Sequence, residues 1–258
     1  MKRALAILFA LSIIALPCFA QEAPPKPEAK APEAAAEEAL PSVDQIIEKY
    51  IEGMGGRAAL EKITTGQMTG AFEIPAMGAS GSIKGFAKAP NKSLAIIDVP
   101  GYGVIQQGFD GTVGWAVDPM AGQREITGAE LITTKRDSDF HPGLHYKELF
   151  KTLTIKGKER VGEKETFLVE ATPAEGKAEK MYFDTKSGLL IRHDFERESP
   201  QGVAQIEVYF DDYKEVDGVK EPYTMRRIMP QFAMTIKIDE IKHNVEIDNA
   251  RFAKPPAQ

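Results

Sequence analysis

Cysteine is almost missing from this chain. The one thiol, Cys18, lies within the first twenty residues, so no intrachain disulfide can form and the fold rests on its core. Beyond that N-terminal stretch no apolar run approaches the roughly 18 to 20 residues that a spanning helix needs. Basic blocks are also lacking. The 32 Lys and Arg are spread among 38 Asp and Glu for a net charge of −6, which excludes nucleic acid as an expected partner. The sequence contains no G-x-x-x-x-G-K-[ST] phosphate loop, and ASGSIKG (79–85) lacks the G-x-S-x-G order of a nucleophile elbow. GYGVIQQG (101–108) is rich in glycine but opens no helix. No motif for a cofactor is present, and none is expected.

The first twenty residues, MKRALAILFALSIIALPCFA, pair a basic start with an apolar run and a small residue, Ala20. This is the pattern of a secretory signal peptide, so the mature protein is expected to be exported and periplasmic. Cleavage before Cys18 would instead leave a lipid anchor, but Pro17 suits that cut poorly. Residues 21–40, QEAPPKPEAKAPEAAAEEAL, hold Pro, Ala, Glu and Lys and nothing that nucleates a core. They read as a tether. Residues 41–258 remain for one domain.

Ser42 with Gln45, followed by Ile46, Ile47, Tyr50 and Ile51 at helical spacing and then by Gly53, Gly55 and Gly56, predicts a capped N-terminal helix. After Ile63 the period changes to two. Met68, Phe72 and Ile74 alternate with polar or small residues, as do Val113, Trp115 and Val117 beyond an Asp110-Gly111 turn. In the second half Leu153 and Ile155 behave likewise, followed by Phe167 to Ala171, Met181 with Phe183, and Leu189, Ile191 and Phe195. Ala204, Ile206, Val208 and Phe210 continue the pattern, then Tyr223 with Met225 and Met229, and lastly Phe232, Met234, Ile236 and Ile238. About eleven sequential strands with one apolar face imply a curved antiparallel sheet forming an incomplete β-barrel.

Midway, Thr127 and Glu130 again have capping-box spacing. GAELITTKRDSDF followed by HPGLHYKELF predicts two short helices, read as a lid or plug over an apolar cavity. Fourteen residues are the expected lining: Met68, Phe72, Ile74, Trp115, Val117, Phe183, Ile191, Phe195, Ile206, Val208, Tyr223, Met225, Phe232 and Met234. Methionine recurs among them and adapts to irregular apolar ligands, though each residue would serve equally in an ordinary core. His141 and His145 have i, i+4 spacing, but Pro142 and Gly143 between them break the helix that a shared zinc would need. His193 falls in phase with Ile191 and Phe195. With no nucleophile motif beside it, it reads as an interior histidine with a partner rather than a base.

Five stretches, IIEKYIEGMGGRAALEKI, FDGTVGW, DPMAGQREITGAEL, YFDTKSGLLIR and VYFDDYKEVDGVKEPYTMR, resemble the LolA-like and LolB-like superfamily of lipoprotein carriers, the outer membrane lipoprotein-sorting proteins. The resemblance covers nearly all of Ser42 to Pro255. It implies a non-enzymatic monomer that shuttles the acyl chains of a lipoprotein or lipid from an inner-membrane donor to an outer-membrane acceptor. It also implies a basic residue on the sheet that latches the lid. Arg227, in phase with Tyr223 and Met225, is the candidate. The alternative is a structural or interaction module of the same fold with a packed core.

Overall fold

Short turns between alternating apolar runs let most strands fold onto their successors, and they set the topology here. The computed structural model describes residues 39–199 and 202–256; the expected signal peptide and almost all of the expected tether lie outside them. The strands are β1 (Thr65–Ile74), β2 (Ala79–Lys88), β3 (Lys92–Val99), β4 (Gly103–Phe109), β5 (Gly114–Asp118), β6 (Gly122–Ile126), β7 (Thr152–Val161), β8 (Lys164–Thr172), β9 (Glu179–Asp184), β10 (Leu190–Ser199), β11 (Gly202–Val216), β12 (Val219–Ile228) and β13 (Ala233–His243). They form one curved antiparallel sheet in the order β6-β5-β4-β3-β2-β1-β13-β12-β11-β10-β9-β8-β7, not closed into a barrel. Two meanders, β1 to β6 and β7 to β13, therefore meet at the β1–β13 pair, where Phe72 lies opposite Ile236.

The strand that the sequence pattern misses is β6. Its GQREI carries Arg124 in phase with Ile126, where alternation calls for an apolar residue. Asp110-Gly111 is also not a two-residue hairpin. The Asp110 carboxylate accepts the amides of Thr112 and Val113 at 2.8 and 2.7 Å, which lengthens the loop and leaves Val113 outside β5. Asp217-Gly218 does make a two-residue turn, with both φ angles positive at 52° and 81°, the geometry that suits strand twist.

Four helices complete the unit: α1 (Val43–Met54), α2 (Arg57–Leu60), α3 (Gly128–Asp137) and α4 (Tyr146–Leu149). The capping box on α1 forms as expected. Gln45 Oε1 accepts the Ser42 amide at 2.7 Å, and Ser42 Oγ accepts the Gln45 amide at 3.2 Å. The box expected on α3 does not form. Thr127 makes no side-chain cap, because Glu130 is drawn instead into a two-pronged pair with Arg124 of β6, both contacts at 2.7 Å.

The helical passage has a topological cause. β6 and β7 are consecutive in the chain but lie at opposite edges of the sheet. The segment containing α3 and α4 joins them and so spans the open side. No helix among the described residues is long and apolar enough to cross a membrane.

Candidate functional site

Strand register assigns every side chain to one of two faces. The inner face carries the helices. Ile46, Ile47 and Ile51 of α1, with Tyr146 and Phe150, pack on Val169, Ala171, Met181 and Phe183 of β8 and β9. Phe183 also meets the Tyr50 ring edge-on, with centroids 5.4 Å apart. In the middle of the sheet the same face holds Phe72, Ile83, Met234, Ile236 and Ile238, flanked by half-buried Met68, Ile74, Tyr223, Met225 and Phe232. Phe195, Ile206 and Val208 continue it across β10 and β11. Met68 lies over Gly85 of β2, where an added Cβ would stand 2.8 Å from its Cγ. Twelve of the fourteen expected lining residues thus belong to this apolar surface or, for Ile191, lie buried in β10 beside its bulge.

The other two lie elsewhere. Register places Trp115 opposite Gly108 and Leu94, and Val117 opposite Gln106 and Ile96, on the outer face. Gly108 has no side chain to contest the space: an added Cβ would come within 2.4 Å of the indole. Over this ring folds the C-terminal segment, whose 3₁₀ turn Asn249–Phe252 buries Phe252 beside Phe86, Leu94 and Ile247. Trp115 is 1% exposed and donates its indole N–H to the Phe252 carbonyl at 2.8 Å. Its place at the end of a strand leading to the helices gave no hint of this. The cue was the pair Ile247 and Phe252, large apolar residues beyond the last strand.

Helix α3 is held to the inner face at both ends. The Arg124–Glu130 pair fixes its first turn to β6. At its other end Arg136 pairs with Glu179 of β9, and Asp137 with Arg197 of β10 at 2.5 Å. Glu179 is only 4% exposed and also accepts from His193 Nε2 at 2.8 Å. Burial alone would raise its pKa, but the His193 hydrogen bond, and then the charges of His193, Arg136 and Arg197, hold the carboxyl below its ordinary value of 4.5. Just past α3, Ser138 Oγ meets Ser93 Oγ of β3 at 2.7 Å.

Arg227, the expected latch, sits half-buried on the inner face between Val208 and Met234. Among the described residues it makes no ion pair or hydrogen bond. Burial lowers its pKa and the nearby Arg197 lowers it further, against a weaker pull from Asp137. The pairs that hold α3 come from Arg124, Arg136 and Arg197. Their cue was a charge standing in phase with an apolar row: Arg197 with Phe195, and Glu179 with Met181.

Between α3 and the nearby ends of β9 to β11 lies a cleft of about 390 Å³ lined by Ile132, Arg136, Lys177, Glu179, Glu196 and Val203, among others. His141 and His145 diverge. His141 Nε2 contacts the Ile63 carbonyl at 2.9 Å, whereas His145 Nδ1 contacts Asp139 at 3.0 Å. No group of three or more potential metal ligands occurs among the described residues.

No family model and no curated protein sequence matches the chain. Solved structures do. A DUF1329 family protein from Desulfovibrio piger superposes with a TM-score of 0.59 at 16% identity, covering 84% of this chain and 99% of that one. An outer membrane lipoprotein-sorting protein domain from Vibrio parahaemolyticus gives 0.55 at 14% identity over 83% and 98%. A LolA superfamily protein from Nitrosomonas europaea gives 0.55 at 11% identity over 83% and 99%. The fold is LolA-like.

Proposed function

We propose that this protein is a non-enzymatic periplasmic carrier that holds the acyl chains of a lipoprotein or lipid against the apolar inner face of its sheet. The observation that carries the reading is the half-buried row Met68, Ile74, Tyr223, Met225 and Phe232, apolar side chains on the inner face of a sheet whose open side is spanned by a pinned helix. Acyl chains suit such a surface because each CH₂ withdrawn from water contributes about 0.8 kcal/mol with no demand for direction. The name of the Vibrio parahaemolyticus neighbour, a lipoprotein-sorting domain, supports the same class of cargo. Release follows if α3 swings away, because a ligand shifts an equilibrium only through different affinities for its two states.

Two experiments test this. Native mass spectrometry of the protein purified from periplasm without detergent, followed by organic extraction, is expected to show a stoichiometric acyl-bearing adduct. A bare mass together with no uptake of a fluorescent fatty-acyl probe overturns the reading in favour of a packed module. The contact between Ser93 and Ser138 supplies the second. In a Cys18→Ser background, Ser93→Cys with Ser138→Cys is expected to form a disulfide that blocks probe uptake when oxidised and restores it when reduced. Uptake unchanged by oxidation refutes a moving α3.

A further inference from the structure

One stretch of the sheet's rim, from β6 to β12, differs in chemistry from the rest; farther along the same rim the β8–β9 turn carries Glu175 and Lys177. Register sets the β1–β2, β3–β4, β5–β6 and β12–β13 turns along one rim: Ile74 pairs with Ala79, Asp98 with both Ser82 and Val104, Val117 with Gln106, and Thr235 with Glu73. The four turns read IPAMGA (74–79), VPGYG (99–103), PMAG (119–122) and MPQF (229–232). None carries a charge, and each holds a proline and a methionine or an aromatic ring. At the other rim the turns read APN between Lys88 and Lys92, DGTV (110–113), GE before Lys164, TKSG (185–188) and DG (217–218), all charged or flanked by charge.

The side chains at these tips face water. Met77 is 65% exposed, Met120 82% and Tyr102 43%. Large apolar side chains left singly on a surface need no explanation; three on successive turns of one stretch of rim whose turns hold no charge do. Several backbone amides of these turns are also bonded within them. The amides of Gly78, Tyr102 and Met229 bond to the carbonyls of Pro75, Val99 and Phe232 at 3.1, 3.0 and 2.9 Å. Those of Met120 and Ala121 bond to the Asp118 carboxylate, which also takes the Tyr102 hydroxyl at 3.0 Å. Those donors leave water without losing a partner, which is the condition for entering lipid.

We propose that this rim docks on a lipid bilayer, with Met77, Tyr102 and Met120 entering the interfacial layer. A protein partner would ring its contact with polar and charged pairs, and these four turns offer it no charged side chain to pair with. Tyrosine suits the headgroup level, where one end of the ring is dry and the other wet. The overall charge of −6 and the absence of Lys and Arg from the four turns make the attraction apolar rather than electrostatic, so it does not depend on anionic lipid. Ile74, Val99, Met229 and Phe232, which belong to the inner-face cluster, end at the same rim. The role of the docking, though not the docking itself, rests on the carrier reading: cargo would pass between bilayer and inner face without crossing water.

The test uses single cysteines in a Cys18→Ser background, labelled with an environment-sensitive fluorophore at Met77→Cys, Met120→Cys or, on the opposite rim, Lys186→Cys. Vesicles of phosphatidylcholine alone, and of phosphatidylethanolamine with phosphatidylglycerol at 3:1, are added to each. Emission is expected to shift to the blue at positions 77 and 120 with both vesicles and to stay unchanged at 186. Met77→Asp with Met120→Asp is expected to weaken vesicle co-flotation by tenfold or more while leaving probe uptake from solution intact. No shift at 77 and 120 overturns the docking, and probe uptake measured on the same sample shows whether the carrier reading survives. A shift only with the anionic vesicles, at all three positions, overturns it in favour of general electrostatic adsorption. A shift that needs membranes retaining their proteins overturns it in favour of a protein receptor.

Discussion

Removing one ring from the C-terminal segment should loosen the whole outer face of the first meander. Phe252 is fully buried and packs with Phe86, Leu94, Trp115 and Ile247. Its segment is tied down by four polar contacts: the indole of Trp115 to the Phe252 carbonyl at 2.8 Å, Lys88 Nζ to the Ile247 carbonyl at 2.9 Å, Gln123 Nε2 to the Pro255 carbonyl at 2.6 Å, and Lys254 to Glu125 at 2.9 Å. Phe252→Ala leaves the backbone acceptors in place and removes only the ring. The expected cost is that of a core Phe→Ala change, about 3 to 5 kcal/mol. Against a typical total of roughly 5 to 15 kcal/mol this is a third or more of the stability. With a urea slope of about 2 to 3 kcal/mol per molar, the midpoint should fall by about 1 to 2 M. The single tryptophan makes the assay local. Its emission should shift to the red in the variant before any denaturant is added, if loss of the ring lets the segment lift, while the far-ultraviolet signal of the sheet persists. A loss below about 1 kcal/mol with unchanged emission refutes the claim that Phe252 is the keystone of this outer core.

Two further outcomes concern α3. Glu179 is held below 4.5 in the folded state, so the stability it lends α3 is fully present above that value and is lost as pH falls through the lower, folded pKa. The protection of the α3 amides against hydrogen exchange, relative to the intrinsic rate at each pH, is therefore expected to fall in acid below pH 4.5. Glu179→Gln should remove most of that dependence; an acid response of the same size in Glu179→Gln refutes the assignment. Arg227→Met should raise global stability by about 1 kcal/mol in urea unfolding, since it relieves a half-buried cation that has no partner among the described residues. Arg197→Met should instead quicken exchange in α3, and the reverse pattern would return the latch to Arg227.

Much of the fold was legible because period two is a property of single strands. Phe72 and Ile74, or Met234 and Ile236, declare a shared face without reference to any neighbour. Which face that is depends on register between strands, and the sequence is silent there. Trp115 and Val117 alternate as regularly as Phe72 and Ile74 but point the other way, beneath residues more than a hundred positions downstream. The same limit hid the pairs that hold α3. Arg136, Glu179 and Arg197 come from three elements, and only the fold brings them together. Arg227 showed the right periodicity, yet periodicity cannot tell a paired arginine from a solitary one. Strand β6 escaped because its GQREI buries only its last residue, so the pattern that marks the other strands was never written into it.

The pairing of β1 with β13 has a consequence for how the molecule comes to exist. Each meander can grow hairpin by hairpin from local contacts, but the seam between them joins the beginning of the domain to its end. Such distant pairings close a large loop before they return any energy, so they form slowly. Until β13 has been synthesised, β1 is a ten-residue strand with an unsatisfied edge in the middle of the eventual sheet, open to any passing strand. A fragment ending at Ile126 should therefore aggregate, and the last fifty residues act in effect as the molecule's own chaperone, arriving to cap the edge that the first fifty residues of the domain expose.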